Sequence, residues 1–366
     1  MKYENIVKNS EEILQTMPWY VQEFYRSRNI DQSSRRTLYS YLHEYRRFFD
    51  WLIDSGLVNV TCYNEIPISV LEQLPKRDME AFIVYLRERK HKNSPNSHKE
   101  GLAETTINRT KMALSSLFKY LTEESENDSG EPYFYRNVMK KIKTKKQKDT
   151  LASRAANIKD KLFLGEKTKQ FLDFISDDTT TESFYAKCDL ATNGKARAAF
   201  EKNRERDLAI IALLLASGIR LSECVGSNIF DLNLASMTID VTRKGNKRDT
   251  VNIAPFAKPY LEDYLSIRNL RYKTDDKQKA LFVTTQSGTP ARLGGAAIER
   301  LVAKYSEAFG VRVTPHKLRH TLATRVYEKT KSPILTASQL GHEGTQLVAT
   351  YAHVLSTEQQ DALSDL

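Results

Sequence analysis

The sequence has few cysteines and no long apolar run. Its three cysteines, Cys62, Cys188 and Cys224, are scattered and odd in number, and their spacing matches no metal site, so they fit a reducing cytoplasm. The longest apolar run, Leu208 to Ala216, has nine residues. A helix that crosses a bilayer needs about 20. The first ten residues are polar, so we expect no signal peptide and a cytoplasmic protein.

The sequence also lacks the patterns that hold metal ions. It contains no cluster of acidic residues with calcium-site spacing and no His/Cys pair with zinc spacing. His316 and Arg319, which lie three residues apart, are not a zinc pair. We therefore expect chemistry that uses no metal and no cofactor.

The chain has enough apolar residues to fold and an excess of positive charge. Hydrophobic residues make up 40% of its 366 residues, which favours two domains with real cores. Lysine and arginine total 56 against 46 acidic residues, a net charge of +10. This excess indicates a polyanionic partner, either nucleic acid or an anionic membrane surface, although charge alone does not decide between them.

Three amphipathic helices are predicted in the first part of the chain, over residues 33–53, 78–90 and 105–121. Each combines an apolar face with a polar or basic one. Basic and small polar side chains on such faces can reach phosphates and base edges of DNA, but they are equally typical of an ordinary solvated surface. The candidate DNA contacts on these helices are Arg46, Arg47, Thr105, Asn108 and Arg109.

A run of lysines over residues 140–148 predicts a basic linker between two domains. We place an N-terminal helical domain at residues 1–150, the linker at about 140–160, and a C-terminal domain at 155–366. Lys143, Lys145 and Lys146 in the linker would add salt-sensitive affinity for a DNA backbone.

The C-terminal part is predicted to be mainly α-helical with one β-hairpin and one further short strand. We expect helices over residues 162–175 and 204–216, with irregular chain over 176–202 between them. Alternating apolar residues from Met237 to Ile253 predict the hairpin. Its tip is basic, so Arg243, Lys247 and Arg248 are further candidate DNA contacts. Four more helices are predicted over 256–268, 294–309, 315–328 and a short stretch that ends at Gly341.

Several residues near the helix ends could bind a phosphate. His316 and Arg319 share one face near a helix N-terminus, where the helix dipole favours an anion. Arg220 follows the predicted Gly218 cap, and Glu223 can hold its guanidinium in place. Taken singly, each feature also fits a surface salt bridge or a capping histidine.

The combined pattern resembles the tyrosine recombinase (phage integrase) family. The similar segments are Ala216 to Glu223, Lys244 in a hairpin, His316 to His320, Leu340 to His342, and Tyr351. Their order and intervals agree with the family along the whole chain. The stretches Met17 to Tyr20, Leu42 to Phe49 and Asp240 to Gly245 further resemble the Xer-type recombinases of streptococci and lactococci, which resolve chromosome dimers at a dif-like site.

The resemblance implies a two-domain, C-shaped DNA clamp that breaks and rejoins DNA. Tyr351 would attack the scissile phosphate and form a 3′-phosphotyrosyl link. Arg220 and Arg319 would clamp the phosphate oxygens, His316 and His342 would hydrogen-bond the phosphate, and Lys244 would protonate the leaving 5′-oxygen. Glu223 and His320 would support these groups.

The resemblance also implies partners. These are double-stranded DNA, a homotetramer on two sites, and an FtsK-type DNA translocase that controls the order of exchange. Residues 356–366 would pack on a neighbouring protomer. A phage or transposon integrase, a type IB topoisomerase and a DNA-binding protein without cleavage activity are the alternatives.

Overall fold

The chain divides into two compact units, residues 1–147 and 148–366, in a computed structural model. The structure describes residues 3–31, 33–89, 101–143, 153, 158–177, 179–243 and 246–341. Some predicted functional residues and the C-terminal segment 356–366 lie outside the described residues. These functional residues are Lys145, Lys146, Lys244, His342 and Tyr351.

The described part of the first unit is helical. Its α-helices are α1 (Tyr3–Gln15), α2 (Trp19–Ile30), α3 (Arg35–Asp54), α4 (Ile68–Gln73), α5 (Lys76–Glu88) and α6 (Glu104–Lys119). A π-helical turn, Tyr120–Glu124, continues α6, and 3-10 turns lie at Tyr63–Glu65 and Val138–Lys141. The three helices predicted from periodicity are confirmed as α3, α5 and α6. The other three were not predicted.

Helix α3 forms the centre of the first unit because its apolar residues recur every three or four positions. Leu38, Leu42, Tyr45, Phe49 and Leu52 are all buried, as the periodicity predicts. This face packs against α1, α2 and α6. Full burial of one such side chain contributes roughly 1.5–3 kcal/mol, so the stripe explains why the unit assembles around α3.

The second unit combines helices with two small antiparallel sheets. Its helices are α7 (Lys167–Ser176), α8 (Phe184–Lys187), α9 (Gly194–Ser217), α10 (Leu221–Gly226), α11 (Lys258–Tyr272), α12 (Gly295–Phe309), α13 (Pro315–Thr330) and α14 (Pro333–Leu340). The strands are β1 (Leu232–Asn233), β2 (Thr238–Thr242), β3 (Arg248–Asn252), β4 (Val283–Thr284) and β5 (Ala291–Arg292). The 3-10 turns are Ile229–Asp231 and Pro255–Ala257.

Helix α9 is the core of the second unit. Every residue from 206 to 219 is buried, which explains why the run from Leu208 to Ala216 is apolar all round instead of on one face. Helices α7, α11 and α13 pack around it. The C-terminal end of α9 is therefore held firmly, and the residues that follow it have a fixed position.

The predicted hairpin is confirmed as β2 and β3, in a sheet of order β1-β2-β3. The register pairs Val241 with Asp249 and Thr242 with Arg248. Ile239, Val241 and Val251 are buried, so the predicted alternation is also confirmed. Strands β4 and β5 form the second sheet, and the predicted strand over 281–284 is its first member.

Two predicted helix starts are wrong. Helix α7 begins at Lys167 instead of residue 162, because Gly165 just before it has a left-handed backbone (φ 55°). Helix α9 begins at Gly194 instead of 204, and the Asn193 side chain caps it by accepting the Ala196 N–H. The stretch 176–202 also contains α8, so the prediction of irregular chain there is corrected.

The predicted fold class, mainly α with a small β-hairpin in the C-terminal part, is confirmed. No helix in the described part of the chain is long and apolar enough to cross a membrane.

Candidate active site

The site begins where α9 ends. Gly218 takes the left-handed conformation (φ 65°) and its N–H donates to the Leu214 carbonyl, which stops the helix. A Cβ at Gly218 would lie 2.9 Å from Leu322 and 3.1 Å from Leu340. The glycine therefore lets α13 and α14 approach this turn closely. The next residues, Ile219 and Arg220, lead directly into α10.

Arg220 is held by a carboxylate three residues further on. Its Nη1 lies 2.8 Å from Glu223 Oε1, and its backbone N–H donates to Glu223 Oε2 at 2.7 Å. The Arg220 side chain is 39% exposed, whereas that of Glu223 is 2% exposed. The buried acid thus fixes one edge of a guanidinium that still reaches solvent, as the i and i+3 spacing predicts.

Glu223 remains ionised although it is buried. Burial by itself would raise its pKa, but the hydrogen bonds from Arg220 and the charge of Arg243 outweigh that effect and lower the pKa. A stable carboxylate at this position keeps the arginine charge oriented over a wide pH range.

Arg243 also binds Glu223, which the sequence did not predict. Its Nη1 lies 3.0 Å from Glu223 Oε2 and its Nε lies 2.9 Å from Asp249 Oδ2. The side chain is only 9% exposed, although we predicted it as a DNA contact at the tip of the hairpin. Lys247 and Arg248, the other two predicted DNA contacts of the hairpin, are exposed.

Arg319 is buried on α13 and joins two helix ends. Its Nη1 donates to the carbonyl of Gly218 at the end of α9, and its Nη2 donates to the carbonyl of Leu340 at the end of α14. The residue is 3% exposed. Because the side chain is buried and two of its donors serve these carbonyls, Arg319 organises the site as well as supplying charge.

His316 lies on the first turn of α13, which begins at Pro315 as predicted. Desolvation of the ring lowers its pKa, and the charges of Arg319, Lys317 and Arg220 lower it further. Arg319 lies three residues further along the same helix, so its guanidinium and the imidazole project from one face of α13. His320 lies one turn on, with ring centroids 4.4 Å apart in an edge-to-face arrangement.

Helix α14 closes the site from another side. It ends at Gly341, which is left-handed (φ 59°) and whose carbonyl accepts Arg220 Nη2 at 3.2 Å. The Gln339 amide donates to the carbonyls of Ser217 and Asn252, at 3.0 and 2.8 Å. Helix α14 is thereby fixed to both α9 and β3.

The structure thus brings together Arg220, Glu223, His316, Arg319 and His320. Lys244, His342 and Tyr351 lie outside the described residues. Two of these directly follow residues of the site in the sequence, because Arg243 precedes Lys244 and Gly341 precedes His342. Within the described part of the chain, the cluster is rich in donors for an oxyanion and holds one neutral base.

In the first unit, a second buried glutamate binds two candidate DNA contacts. Glu44 on α3 has a side chain that is 2% exposed, and its Oε1 accepts Arg109 Nε at 3.1 Å. Its Oε2 accepts Arg47 and the Thr110 hydroxyl. Arg109 remains 53% exposed. Glu44 thus holds one arginine on each of two helices, Arg47 on α3 and Arg109 on α6.

The other candidate DNA contacts differ in their exposure. Arg46 and Thr105 are exposed, whereas Asn108 is partly buried. Lys143 is exposed, and its carbonyl accepts Lys111 Nζ at 3.4 Å. Glu44 was not predicted as a functional residue from the sequence. The available signal was an acidic residue on the inward face of α3, next to Tyr45 and three residues before Arg47.

Comparison with known proteins gives one consistent result. The sequence profile of the phage integrase family matches residues 190–358. The chain is 57% identical over its whole length, and over the whole length of the relative, to tyrosine recombinase XerS of Streptococcus pneumoniae (strain ATCC 700669 / Spain 23F-1). It is 56% identical, with the same coverage, to tyrosine recombinase XerS of the strain CGSP14.

Two solved structures with a similar fold contain DNA. A pre-cleavage complex of the XerH site-specific recombinase with its difH substrate has 20% identity and a TM-score of 0.61, covering 99% of this chain and 89% of that one. The Tn1549 transposon integrase in complex with circular intermediate DNA has 16% identity and a TM-score of 0.57, covering 95% and 99%.

Proposed function

Because the chain belongs to the phage integrase family of tyrosine recombinases, we propose that it breaks and rejoins duplex DNA at a specific site through a 3′-phosphotyrosyl intermediate. The observation that carries this proposal is the meeting of three groups near the end of α9. The buried Glu223 holds Arg220, Arg319 donates to the Gly218 carbonyl, and His316 lies three residues before Arg319 on α13. Such an arrangement suits a phosphate that gains negative charge as it reacts.

Tyr351 is the nucleophile in this proposal. Its hydroxyl oxygen attacks the scissile phosphorus, and the bond between phosphorus and the 5′-oxygen breaks. His316 accepts the tyrosine proton, while Lys244 donates a proton to the departing 5′-oxygen. Rejoining reverses these steps, and the phosphotyrosyl bond conserves the energy of the broken one, so the cycle uses neither ATP nor metal.

Arg220 is the arginine most ready to hold the phosphate, because Glu223 orients it and more than a third of its side chain reaches solvent. Arg319 and His342 complete the set of donors. Removal of one donor of this kind typically costs about 10²–10³-fold in rate. His320 lies against His316 and supports its orientation.

The low pKa of His316 supports its role as the base. A histidine that carried a proton at neutral pH could donate to the phosphate but could not accept the tyrosine proton. Burial and, after it, the cationic neighbours lower the pKa of the imidazole, so the charges that bind the anion also favour the neutral base.

We further propose that the chromosome is the substrate and that dimer resolution at a dif-like site is the purpose. The relatives named XerS and the XerH complex with difH support this assignment. Exchange of strands between two duplex sites requires a homotetramer, and an FtsK-type translocase would set its order. The protein would act in the cytoplasm, on the chromosome itself.

A suicide substrate tests the proposal. The bound site is first located by footprinting on chromosomal DNA, and a duplex carrying that site is nicked next to the scissile phosphate so that the cleaved fragment diffuses away. Wild-type protein should accumulate a covalent protein–DNA adduct, and Tyr351→Phe should bind equally but form none. Absence of a wild-type adduct would indicate a DNA-binding protein without cleavage. Efficient relaxation of plasmids that lack the site would indicate a topoisomerase.

A further inference from the structure

Arg243 occupies an unusual position for a basic residue of a hairpin. It directly follows β2 and directly precedes Lys244 in the sequence. Lys247 and Arg248 on the same hairpin are exposed, yet the Arg243 side chain is 9% exposed. Burial of an arginine is costly unless it is paired, so its partners indicate what it is for.

Those partners are two carboxylates on different elements. Glu223 belongs to α10 and lies 3.0 Å from Nη1, whereas Asp249 belongs to β3 and lies 2.9 Å from Nε. The Arg243 backbone N–H also donates to the Lys247 carbonyl at 2.7 Å. Arg243 therefore closes the base of the hairpin and at the same time fastens it to α10.

The contact with Glu223 links the hairpin to Arg220. Oε2 of Glu223 accepts both Arg243 Nη1 and the Arg220 backbone N–H, while Oε1 accepts Arg220 Nη1. The Arg243 guanidinium also packs on Gly341, where a Cβ would lie 2.5 Å from Cζ. The carbonyl of that same glycine accepts Arg220 Nη2. Arg220 and Arg243 thus share two neighbours.

We propose that Arg243 is a positioning residue for the proton transfer carried out by Lys244, the next residue in the sequence, because it fixes the end of β2 beside the Arg220–Glu223 pair. This inference rests on the proposed function, in which Lys244 protonates the leaving 5′-oxygen. The bond from the Arg243 guanidinium to Glu223 fixes the distance between the end of β2 and the Arg220–Glu223 pair. Because Arg243 is 9% exposed and donates to two carboxylates of the protein, its role is internal.

The guanidinium fork is essential to this role. Its nitrogens reach two carboxylates in different directions, whereas the ammonium of a lysine is a single point on a flexible stem. Arg243→Lys should therefore keep the positive charge beside Glu223 but lose the link to Asp249. We expect an intermediate defect for this variant and a larger one for Arg243→Leu.

A substrate with sulfur in place of the bridging 5′-oxygen at the scissile phosphate separates positioning from other roles. A thiol has a pKa near 8.5, far below that of an alcohol, so the thiolate leaves without a donated proton. A defect in delivery of the acid then disappears, whereas a defect in phosphate binding or in folding remains. Rates of covalent adduct formation are measured on the oxygen and sulfur substrates side by side.

For Arg243→Leu we expect a loss of about 10²-fold on the oxygen substrate, the usual contribution of one general acid, and near wild-type rates on the sulfur substrate. DNA affinity and its salt dependence should not change. Lys258→Gln, at an exposed lysine of the same unit that pairs with Glu262, is the matched control and should cleave both substrates at similar rates to wild type. If Arg243→Leu does not fold, as judged by circular dichroism, the same comparison is made with Arg243→Lys.

Equal losses on the two substrates would overturn the proposal, because Arg243 would then act through Arg220 or through stability. A salt slope reduced by about one would overturn it as well, since that change marks a lost phosphate contact. Failure of wild-type protein to form an adduct on either substrate would instead contradict the proposed function. The two failures are therefore distinguishable.

Discussion

The guanidinium of Arg319 donates a hydrogen bond to the carbonyl oxygen of Gly218, 101 residues earlier in the chain. The last carbonyls of an α-helix have no partner within the helix, and burial makes them costly to leave unpaired. Arg319 satisfies this one and also the carbonyl of Leu340. A single buried side chain thus joins the ends of α9 and α14. Arg220 follows the end of α9, and Gly341 follows the end of α14.

Arg319→Lys should therefore destabilise the second unit as well as slow cleavage. A lysine cannot serve both carbonyls, and one unpaired buried acceptor costs about 1–3 kcal/mol. We expect a lower melting temperature by circular dichroism and a loss of adduct formation of about 10²-fold or more. Arg312→Lys, in an exposed pair with Glu307, is the control and should change neither quantity. An unchanged melting temperature for Arg319→Lys would show that the two carbonyl contacts are dispensable.

The pKa of His316 should lie below its ordinary value of about 6.5. Because the folded protein then binds this proton less readily than the unfolded chain, the associated stability is present above pH 6.5 and declines as the pH falls through the folded pKa. The acidic limb of adduct formation should likewise lie below pH 6.5. An NMR titration of the His316 ring protons in the free protein measures the pKa directly.

Lys317→Gln tests the electrostatic part of this shift. Removal of one of the positive charges near the ring should raise the pKa of His316 toward 6.5 and move the acidic limb in the same direction. Lys329→Gln, an exposed lysine in the last turn of the same helix, should leave the titration unchanged. A His316 midpoint at or above 6.5 in the wild-type protein would contradict the assignment of a neutral base.

Gly341→Ala should lower the free energy of unfolding by more than the strain of its backbone conformation alone. The residue has φ 59°, where a side chain adds roughly 1–2 kcal/mol of strain, and its Cβ would also lie 2.5 Å from Arg243 Cζ. Gly165→Ala is a close control, because Gly165 has φ 55° and open space around it. Urea unfolding should show a larger loss of unfolding free energy for Gly341→Ala than for Gly165→Ala. DNA cleavage by Gly341→Ala should also be slower than by wild type. Equal losses would mean that the contact with Arg243 adds nothing.

Local chemistry in the sequence predicted the parts of this site that depend on short spacing. The i and i+3 relation of Arg220 to Glu223, the glycine that ends α9 and the proline that begins α13 are all visible within a few residues. The structure agrees with these features because they depend on helix geometry and on backbone conformation, which do not need the rest of the fold. The mainly α-helical class followed from apolar periodicity in the same way.

Longer-range relations could not be predicted. Arg243 looked like an exposed tip residue, because neither Glu223, 20 positions away, nor its approach to Gly341 is encoded nearby. The burial of Arg319 depends on carbonyls of two other helices. The start of α9 was missed for a different reason. Residues 194–203 form its largely exposed end, where Phe200 is the one buried residue and no apolar stripe distinguishes a helix from a loop.

Glu44 is expected to stabilise the first unit through the arginines that it binds. Glu44→Gln keeps the shape of the side chain but turns charge-assisted hydrogen bonds into neutral ones, so it should lower the free energy of unfolding by about 1–2 kcal/mol. Both tryptophans, Trp19 and Trp51, lie in this unit, so their fluorescence reports its unfolding alone. Glu80→Gln, in an exposed i and i+4 pair with Lys76, should cost less than about 0.5 kcal/mol. Equal effects of the two variants would mean that the burial of Glu44 is irrelevant.

Arg109 should contribute one phosphate contact to DNA binding. It is the more exposed of the two arginines that bind Glu44, at 53%, and it stands on the outer face of α6 with Thr105. Because each lost phosphate contact reduces counterion release, Arg109→Gln should weaken binding to all sequences and reduce the slope of log affinity against log salt by about one. Arg77→Gln, 86% exposed at the start of α5, serves as the control for loss of one positive charge. The salt slope is measured by fluorescence anisotropy on the footprinted site and on a random duplex. An Arg109→Gln slope equal to that of wild type would place this face of α6 away from the DNA backbone, and a loss confined to the specific site would instead indicate a base contact.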